Sequence, residues 1–240
     1  MNLLVDFGNT RVKAAIFNEG RLMAKNVFDH AQDLLTWLNK YNGIQKCLIG
    51  SVTKGHESIL AALQSRFSTQ LFKADTPIPL KNLYHSALTL GSDRLAAALG
   101  AYALCPNKNV LSIDAGTCIK YNFVNQNNEY LGGAISPGIQ MRLKAMHEQT
   151  SALPLVAMDE QYTKLIGRST QESLLSGALT AAVCELEGMI THYLQHYPDL
   201  TVYITGGDAA YLCKQVKNRF FAEPDLIMIG LNSILDFNDK

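Results

Sequence analysis

The chain has 240 residues, of which 48% are hydrophobic and 18% are charged, a globular composition that excludes a disordered, collagenous or low-complexity protein. A chain of this length can bury enough surface to fold without a disulfide or a structural metal. Twenty-one Lys and Arg residues balance 21 Asp and Glu residues, so there is no overall positive field for nucleic acid or an anionic membrane.

The chain begins with an apolar segment that reaches a carboxylate at position 6, without the basic and apolar regions of a signal peptide. This segment predicts a β-strand that runs into Asp6-Phe7-Gly8-Asn9-Thr10, and a turn cluster at 18–20 predicts a hairpin after it. Gly permits close backbone approach, Thr and amide groups can donate to phosphate, and Asp can hold a hydrated divalent cation. The sequence indicates a nucleotide-handling loop, with an Asx-type turn as the alternative.

Helical periodicity and a second β segment complete the first half. The predicted elements are helix 31–41, strand 46–52 and helix 58–67. Strands that alternate with helices are typical of an α/β architecture.

Gly91-Ser92-Asp93-Arg94 precedes an alanine-rich helix predicted at Leu95–Leu104. An aspartate beside a glycine turn can reach a substrate hydroxyl, and the adjacent arginine can bind an oxyanion or a carboxylate. Asp93 is therefore the strongest acid/base candidate in the chain. The alternative is a plain helix start, with Ser92 as N-cap and Asp93 in the first turn, where its charge favours the helix dipole.

The first loop reappears in the second half. Residues 4–13 are echoed by residues 112–120, where an apolar strand again runs into Asp114-Ala115-Gly116-Thr117. The long repeat period indicates a duplicated domain and not a solenoid, so we predict domains at 1–108 and 109–240. The two loops could grip a polyphosphate across a cleft, whereas P-loop and Gly-x-Gly-x-x-Gly motifs are missing.

The second half continues the α/β pattern. Its predicted elements are helix 140–147, helix 170–197, strand 200–205 and helix 209–218. Ser169-Thr170-Gln171-Glu172 is a capping box that would satisfy the first amides of the long helix. The glycines of the motif Thr205-Gly206-Gly207-Asp208-Ala209 would allow the backbone to approach a nucleotide base or ribose. The alternative is a tight turn before a helix, with no role in binding.

Cysteine usage and hydropathy indicate a compartment. The five cysteines are odd in number, scattered and never spaced as Cys-x-x-Cys, which argues against a disulfide framework and a zinc site and favours a reducing cytoplasm. The longest apolar stretch, 174–184, contains Ser, Gly and Thr and is shorter than the roughly 18 residues of a bilayer span. We therefore expect a soluble protein with neither a membrane nor a nucleic acid as partner.

Five motifs occur in a specific order over nearly the whole chain. They are Asp6–Thr10, Tyr84 ahead of Gly91–Arg94, Asp114–Thr117, Gly132–Gly138 and Thr205–Ala209. This set resembles the type III pantothenate kinase family. The resemblance implies two similar ribonuclease-H-like domains of the sugar kinase, heat-shock chaperone and actin superfamily, with an ATP cleft between them. It also implies ATP-dependent phosphorylation of pantothenate to 4′-phosphopantothenate, the first step of coenzyme A biosynthesis, by a cytoplasmic homodimer.

The resemblance implies roles for individual residues. Asp93 takes the proton from the pantothenate hydroxyl, Asp114 holds a monovalent cation such as K⁺ or NH₄⁺, and Asp6 lies near Mg²⁺, directly or through water. The residues that bind ATP and its phosphates are Asp6, Phe7, Gly8, Asn9, Thr10, Arg11, Val12, Lys13 and Thr117. The residues that form the pantothenate pocket are Tyr84, Gly91, Ser92, Asp93, Arg94 and Thr170. The long helix that starts at Thr170 contributes to the dimer contact.

The chain departs from the family pattern after Asp114–Thr117. The family usually continues with small residues, a Thr and then an Asp, where this chain has Cys118, Lys120 and Asn122. We hypothesise that Lys120 supplies part of the positive charge that a bound cation gives elsewhere. The dependence on a monovalent cation would then be altered.

Two other functions are open on the residues alone. One is a non-catalytic ATP-binding regulator of the same fold, motivated by Lys120 and Asn122, although Asp6, Asp93 and Asp114 are intact. The other is a different phosphoryl-transfer enzyme, such as an acetate or sugar kinase or a polyphosphatase, which need not keep Gly-x-Asp-Arg. A panel of acceptor substrates separates this last class from a pantothenate kinase.

Overall fold

The computed structural model describes residues 1–8, 11–50, 57–73 and 75–239. By its contacts the chain divides into two compact units. The first unit comprises Met1–Pro106, Asn128–Tyr130 and Asp225–Lys240. The second unit comprises Asn107–Asn127 and Leu131–Pro224.

The first unit is built on a five-stranded sheet. Its strands are β1 (Asn2–Phe7), β2 (Val12–Asn18), β3 (Arg21–Phe28), β4 (Lys46–Ile49) and β5 (Ser68–Leu71). Their order is β3-β2-β1-β4-β5, with β1, β2 and β3 antiparallel and β4 and β5 parallel to β1. The β2–β3 turn places Glu19 and Gly20 at φ of 48° and 74°, a left-handed geometry that suits the twist of a tight hairpin.

Helices cover this sheet because apolar residues recur on one face of each. Helix α1 spans Gln32–Leu38 and helix α2 spans Glu57–Arg66. Leu34, Leu38 and Leu63 are fully buried against the central strand. The strand itself is buried from Leu3 onwards and, apart from Asp6, apolar, which is the pattern of a strand covered on both faces.

A short strand and two further helices belong to the same unit. Strand β6 (Lys81–Asn82) pairs in parallel with Glu129–Tyr130. Helix α3 (Ser92–Leu104) packs closely on the C-terminal helix, Leu226–Asn238. A Cβ added at Gly100 would lie 2.0 Å from the Leu226 carbonyl oxygen, and one at Gly230 would lie 1.9 Å from that of Ala96. Only glycine permits this close approach of two helix backbones.

The second unit repeats the plan of the first. Its strands are β7 (Val110–Ala115), β8 (Cys118–Val124), β9 (Glu129–Gly132), β10 (Ile135–Pro137), β11 (Thr201–Thr205) and β12 (Phe221–Ala222), with the unit boundary running through β9. The order β9-β8-β7-β11-β12 matches that of the first sheet, and β10 pairs with β8. As in the first sheet, the first two strands are antiparallel and the last two are parallel to the first.

The helices of the second unit pack on one face of that sheet. They are α4 (Ile139–Glu148), α5 (Thr170–Leu175), α6 (Ala181–His196) and α7 (Ala209–Gln215), with Ser176–Thr180 forming a π-helical turn between α5 and α6; the C-terminal helix of the first unit is α8. Leu179, Leu186 and Ile190 are fully buried against Ile113 and Tyr121 of the sheet. Together these residues form the core of the unit.

The continuous helix Thr170–His196 has 27 residues and is, by length and composition alone, apolar enough to cross a bilayer. Core helices of soluble proteins pass the same test, and here one side of the helix lies in the core of the second unit. The expectation that the chain has no membrane-spanning segment therefore stays a prediction.

The predicted fold class, α/β with two similar ribonuclease-H-like domains, is confirmed by the two matching sheets. The predicted domains, 1–108 and 109–240, stay a prediction. The compact units assign helix α8 to the first unit because it packs on α3 through Gly100 and Gly230.

Several predicted elements differ at their ends. The helix predicted at 95–104 begins at Ser92, and its N-cap is Gly91 and not Ser92. The helix predicted at 209–218 ends at Gln215. The strand predicted at 46–52 is described as far as Ile49, and residues 51–52 lie outside the described part of the chain.

Candidate functional site

The first candidate loop lies at the end of the β1–β2 hairpin. Asp6 is a buried carboxylate near the end of β1, and its register partner on β2 is the exposed Lys13. Register partners leave an antiparallel pair on the same face, so this end of the hairpin carries both charges. The Gly8 amide donates to the Arg11 carbonyl at 3.1 Å and closes the turn.

The other predicted phosphate-binding residues of this loop have different surroundings. Asn9 and Thr10 lie outside the described residues. Phe7 and Val12 are buried in the core of the first unit, so only their main-chain atoms can take part in binding. Arg11 is exposed and forms an ion pair with Asp29 at 2.9 Å.

Asp93 lies in the first turn of α3. One of its carboxylate oxygens accepts the Arg94 amide at 2.8 Å, which orients the carboxylate beside the start of the helix. A Cβ added at Gly91 would lie 2.6 Å from the same oxygen. The backbone of Gly91 has φ −59°, which any residue adopts, so the effect of glycine here is to leave room for the Asp93 carboxylate in this position.

Arg94 and Tyr84 form a second group next to Asp93. The Arg94 guanidinium lies 5.4 Å from the centre of the Tyr84 ring, and one of its nitrogens donates to the Tyr84 hydroxyl at 3.4 Å. Tyr84 in turn packs near Tyr130, with ring centres 6.2 Å apart. Arg94 is buried, so its charge acts with little screening by water.

The structure brings Tyr84, Gly91, Ser92, Asp93 and Arg94 together within the first unit. Between them they offer a carboxylate, a guanidinium, an aromatic ring and hydroxyl groups. A carboxylate can orient an alcohol and take its proton, and a guanidinium can bind a carboxylate through two hydrogen bonds. The group is therefore suited to a small substrate that carries both a hydroxyl and a carboxylate.

The second unit carries the corresponding loop between β7 and β8. Asp114 is buried, and its carboxylate accepts a hydrogen bond from Lys120 Nζ at 2.7 Å. Thr117 is exposed at the tip of the loop. The Gly116 amide donates to the Cys118 carbonyl at 3.0 Å and the Gly138 amide donates to that of Thr117 at 3.1 Å, so the loop is held from two directions.

The glycine-rich loop after β11 lies against this turn. The Asp208 amide donates to the Ala115 carbonyl at 2.9 Å, and a Cβ added at Gly206, where φ is 102°, would lie 2.2 Å from the same oxygen. Burial, and then the negative charge of Glu160, raise the pKa of the Asp208 carboxyl. The Asp114–Thr117 and Thr205–Ala209 motifs are therefore neighbours within the second unit.

Thr170 is exposed at the first position of helix α5. The predicted capping box is confirmed in its first half, since Ser169 Oγ accepts the Glu172 amide at 3.2 Å. The Glu172 carboxylate accepts the Arg168 amide at 2.7 Å. Thr170 belongs to the second unit and Tyr84 to Arg94 belong to the first, so the structure describes the two parts of the predicted pocket separately.

Metal-binding capacity is limited. Over the described ranges, which omit 9–10, 51–56, 74 and 240, no cluster of three or more His, Cys, Asp or Glu side chains is suited to hold a metal ion. Mg²⁺ in phosphotransfer sites is commonly held by one or two carboxylates together with substrate phosphates. The buried carboxylate of Asp6 suits that mode.

Two acidic residues were missed as site candidates in the sequence. Asp208 lies in the Thr205–Ala209 motif, and the presence of an aspartate in that glycine-rich motif could have marked it as a candidate. Glu185 accepts hydrogen bonds from Tyr121, Ser136 and Arg142, which come from strands β8 and β10 and helix α4. No local pattern could indicate a network of residues this far apart in the chain.

Solved structures define the class to which the fold belongs. A ROK hexokinase from Thermus thermophilus matches with a TM-score of 0.53 at 14% identity, with 99% of each chain covered. A chain from Campylobacter jejuni described as a conserved Baf family transcriptional activator matches with a TM-score of 0.64 at 20% identity, over 99% of this chain and 98% of that one. At these identities the likeness shows the fold alone, which is the α/β fold of the class that includes sugar kinases.

Sequence comparison narrows the class to one family. The model of the type III pantothenate kinase family matches residues 2–192. A type III pantothenate kinase from Christiangramia forsetii is 42% identical over 241 residues, which is 99% of each chain. The chain belongs to the type III pantothenate kinase family.

Proposed function

We propose that the chain transfers the γ-phosphoryl group of ATP to the primary hydroxyl of pantothenate and releases 4′-phosphopantothenate and ADP. Family membership over residues 2–192 supports this reaction. The observation that carries it is the Tyr84, Asp93 and Arg94 group at the start of α3, which offers a base for a hydroxyl and a cation for a carboxylate. Pantothenate carries both.

Asp93 acts as the base in this proposal. Its carboxylate is oriented by the Arg94 amide and accepts the proton of the pantothenate hydroxyl as the oxygen attacks the γ-phosphorus. The bond from phosphorus to the ADP oxygen breaks, and its electron pair leaves with ADP. Phosphoryl transfer depends mainly on alignment and charge neutralisation, so one positioned carboxylate is sufficient.

The pantothenate pocket in this proposal is built on Tyr84, Gly91, Ser92, Asp93 and Arg94 of the first unit, and Thr170 of the second unit stays a predicted contact. Arg94 is the residue for the pantothenate carboxylate, because its guanidinium is held over the Tyr84 ring and so loses little freedom on binding. Gly91 leaves the space that the Asp93 carboxylate needs. The hydroxyls of Ser92 and Thr170 are suited to the amide and hydroxyl groups of pantothenate.

We assign the ATP phosphates to the loop at 6–13 of the first unit, and Thr117 of the second unit stays a predicted ATP contact. Lys13 supplies positive charge at the end of the first hairpin, and the amides of the loop supply hydrogen-bond donors. Asp6 would hold Mg²⁺, which supplies charge neutralisation to the phosphates when bound. Positive charge beside Asp114 assists in the same way; K⁺ or NH₄⁺ as the source of that charge stays a prediction, and so does the ATP cleft.

A homodimer is part of the proposal, with the long helix in the contact. Gly177, Ala181, Cys184 and Gly188 recur at spacings of four and three on the exposed side of this helix, and a Cβ at either glycine would meet nothing within 4 Å. Glycine costs a helix roughly 1 kcal/mol relative to alanine, so two exposed glycines on one face are explained by a close partner.

We place the kinase in the cytoplasm, where its substrate ATP is produced. The five cysteines are free thiols in the structure, which suits a reducing compartment. Cell fractionation tests the placement, and recovery of the native chain with membranes would contradict it.

The alternative of a non-catalytic regulator has no support, because the relative that is 42% identical is named as a kinase.

A panel of acceptors tests the proposed reaction. Purified chain with Mg²⁺-ATP should phosphorylate pantothenate, and phosphorylate glucose or acetate at less than about a hundredth of that rate, because a site that binds a substrate through polar groups rejects acceptors that lack the matching groups. Transfer to glucose or acetate in preference to pantothenate would overturn the assignment.

A further inference from the structure

We propose that the side-chain ammonium of Lys120 takes the place of a bound monovalent cation at Asp114, so that the kinase works without added K⁺ or NH₄⁺. The inference rests on the proposed function, because it concerns what the phosphoryl transfer requires.

The ion pair is built into neighbouring strands. Asp114 on β7 and Lys120 on β8 are direct register partners, so both side chains leave the sheet on the same face. The nitrogen and the carboxylate oxygen are 2.7 Å apart, and the side chains keep only 20% and 12% of their exposure. Because water screens such a pair less than a surface pair, the attraction between the ammonium and the carboxylate is stronger here, and the strand register keeps the two groups side by side.

The donor set around Asp114 does not suit a monovalent metal ion. Hard cations are bound by oxygen ligands, and a carboxylate adds attraction only while its charge is not offset by another cation. Here one carboxylate and one ammonium cancel, and the next residue on the same face of β8 is Asn122, the register partner of Ser112, which is neutral. A second cation that approached the Asp114 carboxylate would therefore be repelled by the Lys120 ammonium.

The ammonium also lies close in the chain to the loop that carries Thr117, a residue that the proposed function assigns to ATP. Lys120 follows the loop that carries Thr117, and this loop is tightened by the hydrogen bond from the Gly116 amide to the Cys118 carbonyl. A positive charge at such a loop offsets the negative charge of a bound polyphosphate. A lysine ammonium is a compact point charge with three donors, so it can supply what a bound ion of the same charge would supply.

The first experiment compares salts for the full-length wild type. Turnover of pantothenate is measured with Mg²⁺-ATP, as Tris salts, in choline chloride and in KCl or NH₄Cl at equal ionic strength. We expect the rates to differ by less than about threefold, since the charge at Asp114 is already present. A larger stimulation by K⁺ or NH₄⁺ would overturn the proposal.

The second experiment removes the ammonium. Lys120→Met keeps most of the side-chain length, and we expect it to lower the rate in choline chloride by about tenfold or more, with partial recovery in KCl or NH₄Cl. The matched control is Lys25→Met. Lys25 also lies on a strand and pairs with a carboxylate, that of Asp225 at 2.8 Å, but its side chain is 54% exposed. The control should respond to salt like the wild type. Full activity of Lys120→Met in choline chloride would contradict the proposal.

Thermal unfolding supplies a readout that does not depend on turnover. An ion that binds the folded state raises the unfolding midpoint. We expect equal midpoints in KCl and choline chloride for the wild type and a higher midpoint in KCl for Lys120→Met. A K⁺-specific rise in the wild type would overturn the proposal. If the wild type makes no product in any salt, the proposed function fails, but the unfolding midpoints still test the role of Lys120. If Lys120→Met does not fold, the wild-type rates and midpoints in the different salts test that role alone.

Discussion

At the start of helix α3 a single glycine controls the position of a carboxylate. Gly91 has an ordinary backbone conformation, so its lack of a side chain matters for space and not for φ. The space is taken by a carboxylate oxygen of Asp93, which would lie 2.6 Å from an added Cβ. The Asp93 carboxylate is the end of a flexible side chain and can move away, so a larger residue at 91 disturbs the geometry of the base more than the fold.

Gly91→Ala should therefore separate activity from stability. We expect kcat to fall by about tenfold to a hundredfold, because a displacement of about 1 Å in a reacting group has an effect of this size. The free energy of unfolding should fall by only about 1 kcal/mol, the usual cost of alanine at an N-cap. Steady-state kinetics and thermal unfolding measure the two effects. Unchanged kcat in the folded variant would remove Gly91 from the account.

At the residue scale the sequence offered candidates for the chemistry but not their contacts. Asp93 and Arg94 became candidates because they are adjacent and follow a glycine, which is a local pattern. The contact of Arg94 with Tyr84 joins residues separated by an irregular segment, so periodicity could not predict it. The charge of Lys120 was a sequence signal, whereas its pairing with Asp114 follows from the strand register.

Among the elements, the Glu185 network ties helix α6 to the segment that supports the Asp114–Thr117 loop. Glu185 accepts hydrogen bonds from Tyr121 and Ser136 and pairs with Arg142. Burial acts to raise the pKa of Glu185, but the hydrogen bonds from Ser136 and Arg142 and the charge of Arg142 outweigh it, so the pKa is lowered from its ordinary value of 4.5.

The sign of this shift predicts a pH-dependent contribution to stability. A carboxylate with a lowered pKa in the folded state stabilises the fold fully above its unfolded pKa and loses that contribution as the pH falls through the folded value. Glu185→Gln should lower the free energy of unfolding by about 1–2 kcal/mol at pH 7. The difference from the wild type should shrink below pH 4.5. Urea unfolding across pH measures it, and a pH-independent difference would contradict the ionic role.

Strands and helices were predictable where a local pattern determines them. The two hairpins follow from apolar runs and turn residues such as Gly20, and the start of α5 follows from its Ser169 cap. Helix α8 was not predicted, although it is strongly apolar. Its packing on α3 depends on Gly100 and Gly230, whose lack of a side chain lets the two helix backbones approach closely. Such a contact between distant segments has no local signal.

For the whole molecule, the internal repeat was the most informative sequence signal. Asp6 and Asp114 occupy the same position in two sheets of the same strand order, so one motif in each half predicted a duplicated fold. Similarity of the halves could not predict that the C-terminal helix joins the first unit, because a repeat specifies what each half contains and not where its last segment packs.

The proposed homodimer leads to a test on the exposed side of the long helix. Gly188→Glu adds a charge where an added Cβ meets nothing within 4 Å, so the single chain should keep its fold. We expect sedimentation velocity to give the mass of two chains for the wild type and of one chain for the variant, because an unpaired charge opposes burial in an interface. A variant that remains dimeric would place the contact elsewhere.

The central claim is that Asp93 is the base of a pantothenate kinase. The most direct measurement is the rate of 4′-phosphopantothenate formation by Asp93→Asn, with Asp33→Asn as control, since Asp33 also lies in the first turn of a helix. We predict a loss of about a hundredfold to ten-thousandfold in kcat for Asp93→Asn, with an unfolding midpoint like that of the wild type and full activity in the control. Wild-type turnover in Asp93→Asn would contradict the account.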